Sequence, residues 1–408
     1  LNCMRLSNRL ASGFVSSRLE KIPVSPTLYI NETVGKMKGE GKEVHHFGFG
    51  QSPFPVPQPM VKELMNHASE KDYLPSRGLY SLREAIADHL AHENQKLPQF
   101  TAENITIGPG SKQLLYQIFL LFNGDILLPS PCWVSYYPQC VLAEKKTTKF
   151  IQTSKETNWH ITPESLEKEC SHNPDIPKLL LLNTPCNPTG QVYSKEELTE
   201  LSEVFRKYNL VVVADEIYGL LNYEGNHCSI ASVYPERTIV TSGVSKAFGA
   251  GGWRLGYAAF PPALKELLYP MDCIASETFS ATSAPIQYGS IPAYQLNEEM
   301  NEILNAQRNI LSGVGNYVYQ KLIENNVDVL KPKGGFYMFP SFENYKPQLQ
   351  ETKGINTSLE FCNTLLKETG VALLPGSSFS RESSELSARL AFVNFDGGKA
   401  LKASEVHS

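Results

Sequence analysis

The chain has 408 residues, of which 41% are hydrophobic and 19% charged, and a formal net charge of −5. That length exceeds one small core and predicts a large domain with a smaller one beside it. The composition is that of a soluble globular protein. With no basic block, nucleic acid is not expected as a partner, and no apolar run approaches the roughly 20 residues that cross a bilayer.

The first 19 residues hold three arginines and no acid, a composition found in organelle-targeting segments. The chain starts at Leu1, so a trimmed terminus accounts for this equally, and a cytoplasmic location is the expectation. The eight cysteines are scattered without a C-x-x-C pair. That pattern suits reduced thiols better than a disulfide framework or a zinc site, so no metal is expected. The N-x-S/T triplets at Asn31, Asn104 and Asn356 are read as chance.

Residues 23–42 read as a short amphipathic helix ending at the Gly39/Gly41 breakers. Proline spacing (Pro53, Pro55, Pro57, Pro59) then forces an extended stretch. Beyond it, helical periodicity over 61–68, 79–93, 111–122 and 194–208 alternates with short apolar runs over 104–107, 125–128, 179–182, 210–214 and 238–241. Strands buried on both faces and separated by helices predict a mostly parallel sheet of the α/β class. Ligands bind at the carboxyl ends of such strands. The long helical pattern over 298–326 leads toward a second domain, to which strand-like runs over 335–339 and 388–393 belong.

Three of the apolar runs end in residues of special character. The run 179–182 enters Asn183-Thr184-Pro185-Cys186-Asn187-Pro188-Thr189-Gly190, a stiff turn that carries Asn187. The run 210–214 ends in Asp215-Glu216-Ile217-Tyr218. An acid there stays ionised only beside a cation, such as a protonated pyridine nitrogen; a helix N-cap is the plainer alternative. The run 238–241 leads into a small, glycine-rich stretch with Lys246 and, eight residues on, Arg254. A lysine withdrawn from water is a Schiff-base nucleophile and an arginine grips phosphate; two solvated cations on a loop would look the same. Pyridoxal 5'-phosphate is the ligand that needs both.

Gly110-Ser111-Lys112 opens the helical stretch 111–122 and offers free amides to an anion, or is an ordinary strand-to-helix turn. Trp133, past another strand end, either stacks on a flat ring or fills the core.

The motif set N-x-x-x-N-P-T-G, D-E-x-Y, S-K-x-x-x-x-x-x-W-R-L-G-Y and L-P-G-S-x-F, in this order, resembles the class I/II aminotransferases of fold type I, over about residues 17–395. The resemblance implies a seven-stranded, mostly parallel sheet in a cofactor-binding domain over 60–290. It implies a smaller α+β domain from both chain ends, 1–59 with 291–408. Lys246 would form the Schiff base with pyridoxal 5'-phosphate and shuttle the proton. Asp215 would pair with the ring nitrogen, and Tyr218 and Asn187 with the phenolic oxygen. Gly110, Ser111, Lys112, Ser245 and Arg254 would hold the phosphate and Trp133 would stack on the ring. Arg389 would clamp the substrate carboxylate beside Gly50, with Asn187 close by. Tyr73 matches a tyrosine that reaches the neighbouring subunit's phosphate, which implies a homodimer with shared sites.

Three departures from the family pattern stand out. Gly243 occupies a place where serine is usual, so a phosphate contact is lost or passes to Ser242 or Ser245. Gly50-Gln51-Ser52-Pro53-Phe54 replaces G-x-P-D-F. Only 19 residues follow Arg389, short for the family's closing helix. The expected activity is amino transfer from an L-amino acid to a 2-oxo acid, with β- or α,γ-elimination by a lyase of the same fold as the alternative. A nicotinamide dehydrogenase lacks the G-x-G-x-x-G it would need. No cation is evident for a distal substrate carboxylate, Lys112 being assigned to the phosphate turn. Phe49, Phe54, Tyr136 and Tyr218 suit a neutral or aromatic side chain, or simply the core.

Overall fold

The structure is a computed structural model that describes residues 16, 19, 22, 25–92, 97 and 99–407. The targeting expectation rests on residues 1–19, nearly all outside the described residues. Strands are numbered in chain order: β1 (His45–His46), β2 (Ile105–Gly108), β3 (Asp125–Ser130), β4 (Thr148–Gln152), β5 (Lys178–Asn183) and β6 (Val211–Asp215). They continue with β7 (Thr238–Gly243), β8 (Gly256–Ala259), β9 (Tyr337–Met338), β10 (Val371–Ala372), β11 (Leu374–Pro375) and β12 (Ala388–Ala391).

Seven strands form one sheet in the order β2-β8-β7-β6-β5-β3-β4. All neighbours from β4 across to β7 are parallel, and β8 runs antiparallel to both β7 and β2. Every residue of β5 and β6 is buried. Leu179, Leu181, Val211 and Val213 face a core that includes Leu114, Leu115 and Ile118 of helix Ser111–Leu121. Leu180, Leu182, Val212 and Ala214 face the opposite core, with Leu198, Leu201 and Phe205 of helix Lys195–Lys207. Burial on both faces is why these strands read as unbroken apolar runs.

Two strands of the seven-stranded sheet escape the sequence pattern. In β4, at the sheet edge, Ile151 alone is buried, so the apolar signal is weak. β8 lies within the glycine-rich motif after Lys246, where glycine marks close backbone approach as readily as a loop.

Helix boundaries follow local chemistry. Ser194 and Glu197 form a capping box ahead of Lys195–Lys207, and the Asn297 side chain accepts the Met300 amide to start the 27-residue helix Glu298–Glu324. Residues from both chain ends meet in small sheets: β1 pairs parallel with β10, and β12 lies between β11 and β9. The tail past Arg389 still forms a helix, Gly397–His407.

Strand register sets up the ligand-facing edge. Asn183, Asp215 and Thr241 are aligned across β5, β6 and β7. Beside them Gly243, Gly256 and Gly108 form a row across β7, β8 and β2. Among the described residues no helix is long and apolar enough to cross a membrane, no group of three metal-ligating side chains forms, and the cysteines are free.

Candidate active site

Lys246, Asp215, Tyr218, Asn187 and Arg389, spread over 202 residues of chain between Asn187 and Arg389, converge at the carboxyl ends of β5, β6 and β7. The Lys246 ammonium donates to the Gly50 carbonyl at 2.8 Å. It lies 5.7 Å from the ring centres of both Tyr218 and Phe336. Burial, then the Arg389 charge, lowers Lys246 to about 8. Asp215 is buried and its carboxyl is pushed up to about 6 by desolvation, against a lowering hydrogen bond from Tyr136. The Asp215–Ile217 amide contact is long, 3.4 Å, so the N-cap alternative accounts for little.

For Tyr136 the core alternative holds. Its hydroxyl donates to Asp215 Oδ2 at 2.6 Å, which turns it from a candidate substrate contact into a support for the acid. Phe54 is likewise core, buried edge-on against Phe395.

The side expected to take a phosphate is built by close approach. Gly110 has φ 91° and caps helix Ser111–Leu121, a conformation that favours glycine. A Cβ there would sit 2.5 Å from the Arg254 guanidinium. Arg254 donates to the carbonyls of Gly251 (2.7 Å) and Pro109 (3.3 Å). The Lys112 ammonium stands 5.0 Å over the Trp133 ring, and desolvation followed by Arg254 lowers its pKa. Trp133 is half-buried and meets Tyr136 edge-on.

Gly243 has a steric reason. A Cβ there would lie 2.7 Å from the Leu255 carbonyl oxygen and 2.8 Å from the Gly256 Cα, so the usual serine does not fit this backbone. Ser242 donates to the Glu216 carbonyl at 3.2 Å and is engaged there. Ser245, half-buried beside Lys246, is the hydroxyl left for an anion.

Arg389 is 1% exposed and lies between the rings of Tyr337 (4.6 Å) and Phe379 (5.0 Å). It donates to the Asn187 side chain at 3.1 Å and to the Gly48 carbonyl at 2.8 Å, while its Nε has no partner. Among the described residues no carboxylate pairs with it, nor with Lys246 or Arg254. A buried, unpaired guanidinium is costly unless a ligand supplies the anion. Tyr73, by contrast, is 91% exposed and is not brought to this chain's site.

Sequence reasoning overlooked Tyr337, whose hydroxyl lies 2.9 Å from that of Tyr218. The run Gly335–Phe339 was legible as a strand, but nothing local marks which side chain turns toward the site.

These residues fit pyridoxal phosphate on their own chemistry: a reactive lysine, a buried acid for the ring nitrogen, and a glycine cradle lined by cations. The family model for aminotransferase class I and II matches residues 42–394. An aspartate aminotransferase of Geobacillus stearothermophilus is 35% identical over 90% of this chain and 91% of its own. An asparagine–oxo-acid transaminase of Streptococcus mutans is 32% identical over 90% and 92%. The structure of an aspartate aminotransferase from Thermus thermophilus with maleate superposes with a TM-score of 0.83 at 26% identity, covering 96% of this chain and 97% of that one. The family match encloses every site residue from Gly50 to Arg389, and the chain belongs to the class I and II aminotransferases.

Proposed function

We propose that the chain moves an amino group from an L-amino acid to a 2-oxo acid with pyridoxal 5'-phosphate held on Lys246. The carrying observation is that Lys246 on the Gly50 carbonyl, the buried acid Asp215 and the buried Arg389, without a carboxylate partner among the described residues, come together at the strand ends. When bound, the cofactor supplies an electron-withdrawing ring and a carbonyl that traps amines.

The chain's own residues supply the rest. Asp215 would keep a proton on the ring nitrogen. Tyr218 and Asn187 would hydrogen-bond the phenolic oxygen, and Trp133 would stack on the ring. Arg254, Ser111, Ser245 and the Gly110 turn would take the phosphate. Arg389, beside Gly50 and Asn187, takes the substrate's carboxylate and fixes the Cα–H bond relative to Lys246. Lys246 Nζ, once the incoming amine has displaced it, would be the base that takes the proton from the substrate's Cα. Burial of Asn187, Asp215, Tyr218 and Arg389 keeps water from competing at those groups.

For the donor we favour a dicarboxylic amino acid. The cations acting on Lys246 are Arg389, Lys112 and Arg254. With Arg389 on the α-carboxylate and Arg254 on the phosphate, we reassign Lys112 from the phosphate turn, where the resemblance put it, to a distal carboxylate. The relatives named for aspartate, and a related structure holding maleate, point the same way.

We further read residues 60–290 as the cofactor-binding domain and 1–59 with 291–408 as the smaller one. The exposed Tyr73 is read as completing the site of a second copy in a homodimer, and the free cysteines as suiting the cytoplasm. Lys246→Ala tests the main reading. The variant is expected to lose both the lysine-bound absorbance of the cofactor and amino transfer from aspartate to a 2-oxo acid. Retention of both would overturn the assignment.

A further inference from the structure

Tyr337 lies at a junction that the roles assigned above leave unused. Its phenol is buried, and the Tyr218 hydroxyl at 2.9 Å is its hydrogen-bond partner. Its ring packs edge-on to Tyr218, with centroids 5.6 Å apart and planes at 82°, and carries the Arg389 guanidinium at 4.6 Å. That second contact follows from register: Tyr337 on β9 is opposite Ala391 on β12, so Arg389 is its diagonal neighbour on the same face.

Two glycines leave room for Tyr337. A Cβ on Gly50 would overlap the Tyr337 hydroxyl, and one on Gly190 would overlap the Tyr337 carbonyl. Gly50 is the residue whose carbonyl accepts the Lys246 ammonium. Gly190 closes the Asn183–Gly190 turn that carries Asn187. The Tyr337 side chain thus touches the lysine's acceptor segment, Tyr218 and Arg389, while its backbone carbonyl packs on the Asn187 turn.

We propose that Tyr337 is a positioning residue: it donates its hydroxyl proton to Tyr218 and so turns Tyr218's single proton toward the cofactor's phenolic oxygen. This rests on the cofactor reading given above. A phenol has one proton and two acceptor lone pairs. If Tyr218 donated to Tyr337, it would have no proton left for the cofactor. With Tyr337 as donor, Tyr218 accepts on one side and donates on the other, and such a chain strengthens both bonds. The ring of Tyr337 meanwhile holds the guanidinium that receives the substrate carboxylate. Arg389 from β12, Asp215 from β6 and Lys246 are the charged groups around the pair.

The test uses the full chain loaded with pyridoxal phosphate and follows the absorbance of the lysine-bound cofactor against pH. A hydrogen bond to the phenolic oxygen favours its ionised form, so weakening that bond raises the pH of the colour change. Tyr337→Phe keeps the ring and removes the hydroxyl. We expect the titration midpoint to rise by roughly half a pH unit, as weakening rather than loss of the bond from Tyr218 implies, with maleate binding changed less than about threefold, since the ring stays on Arg389. Tyr337→Leu is expected to weaken maleate roughly tenfold as well, through loss of the ring under Arg389.

In Tyr218→Phe, adding Tyr337→Phe should move the midpoint no further, because Tyr337 acts through Tyr218. A Y337F protein that titrates where the wild type does overturns the proposal and leaves Tyr337 as packing. A further shift in the double variant overturns it too. Should Y337F not fold, Gly50→Ala is used instead. Its methyl displaces the hydroxyl while Tyr337 stays, and it must give the same upward shift for the proposal to stand. If the wild type itself gains no lysine-bound absorbance, the cofactor reading fails rather than the role of Tyr337.

Discussion

The Tyr136 hydroxyl donates to Asp215 Oδ2 at 2.6 Å across 79 residues of chain, and both side chains are buried. This bond favours the ionised carboxyl where burial opposes it. Tyr136→Phe therefore leaves Asp215 protonated to higher pH and weakens its hold on a ring nitrogen. We expect pyridoxal phosphate to bind the apoprotein roughly ten- to a hundredfold less tightly near neutral pH, the range for a hydrogen bond to a charged group. Tryptophan fluorescence quenching measures the affinity, and part of the loss should be recovered at more alkaline pH.

Asp215 also makes the apoprotein sensitive to pH. Its carboxyl sits at about 6 in the folded chain against an ordinary 3.8, so between these values the folded state binds more protons than the unfolded one. Stability from this group falls as pH rises through that window and stays low above it. Asp215→Asn removes the penalty. The variant apoprotein should be more stable than wild type at neutral pH by on the order of 2–3 kcal/mol, and equal to it below the ordinary carboxyl range. Urea denaturation on either side of the window decides this.

Lys246, lowered to about 8, governs how fast cofactor is captured. Only the free amine attacks a carbonyl, so the capture rate of the apoprotein should climb through about pH 8 and then level off. An ordinary lysine would keep climbing beyond about pH 10. Arg389→Gln removes a cation that lowers Lys246 and should move the midpoint upward. Stopped-flow absorbance across a pH series reads both.

Lys112 tests the donor class. Lys112→Met is expected to raise KM for aspartate roughly tenfold or more, as loss of a charged hydrogen bond implies. KM for alanine should change little. Equal effects on both donors would return Lys112 to the phosphate turn.

Gly243→Ser addresses the departure in the lysine motif. The added Cβ would press on the Leu255 carbonyl and Gly256 Cα at 2.7 and 2.8 Å, and the backbone of β7 and β8 has to part. We expect a loss of about 1–3 kcal/mol in stability, as overpacking costs elsewhere. Denaturant unfolding measures it. A serine tolerated without loss would show that β8 yields easily.

Much of the fold is legible in local pattern. The unbroken apolar runs of β5 and β6 and the periodic helices between them mark a parallel sheet, because strands covered on both faces have no polar side to show. β4 and β8 stay hidden for opposite reasons. β4 is half-exposed at an edge, and β8 opens on Gly256, which the Ser111 amide and the Ser242 carbonyl crowd, and sits in a glycine-rich motif.

What the sequence carried alone was the candidate set: Lys246, Asp215, Tyr218, Asn187 and Arg254 stand in motifs that resemble the family's, and Arg389 in a strand-like run beside them. Only the tertiary structure decided what surrounds them. It turned Tyr136 onto Asp215, stacked Tyr337 beneath Arg389, excluded a side chain at Gly243 and committed Ser242 to Glu216. Each of these depends on strand register or on a contact between distant segments. Such contacts exist only after the sheet has paired, so no local window of sequence records them.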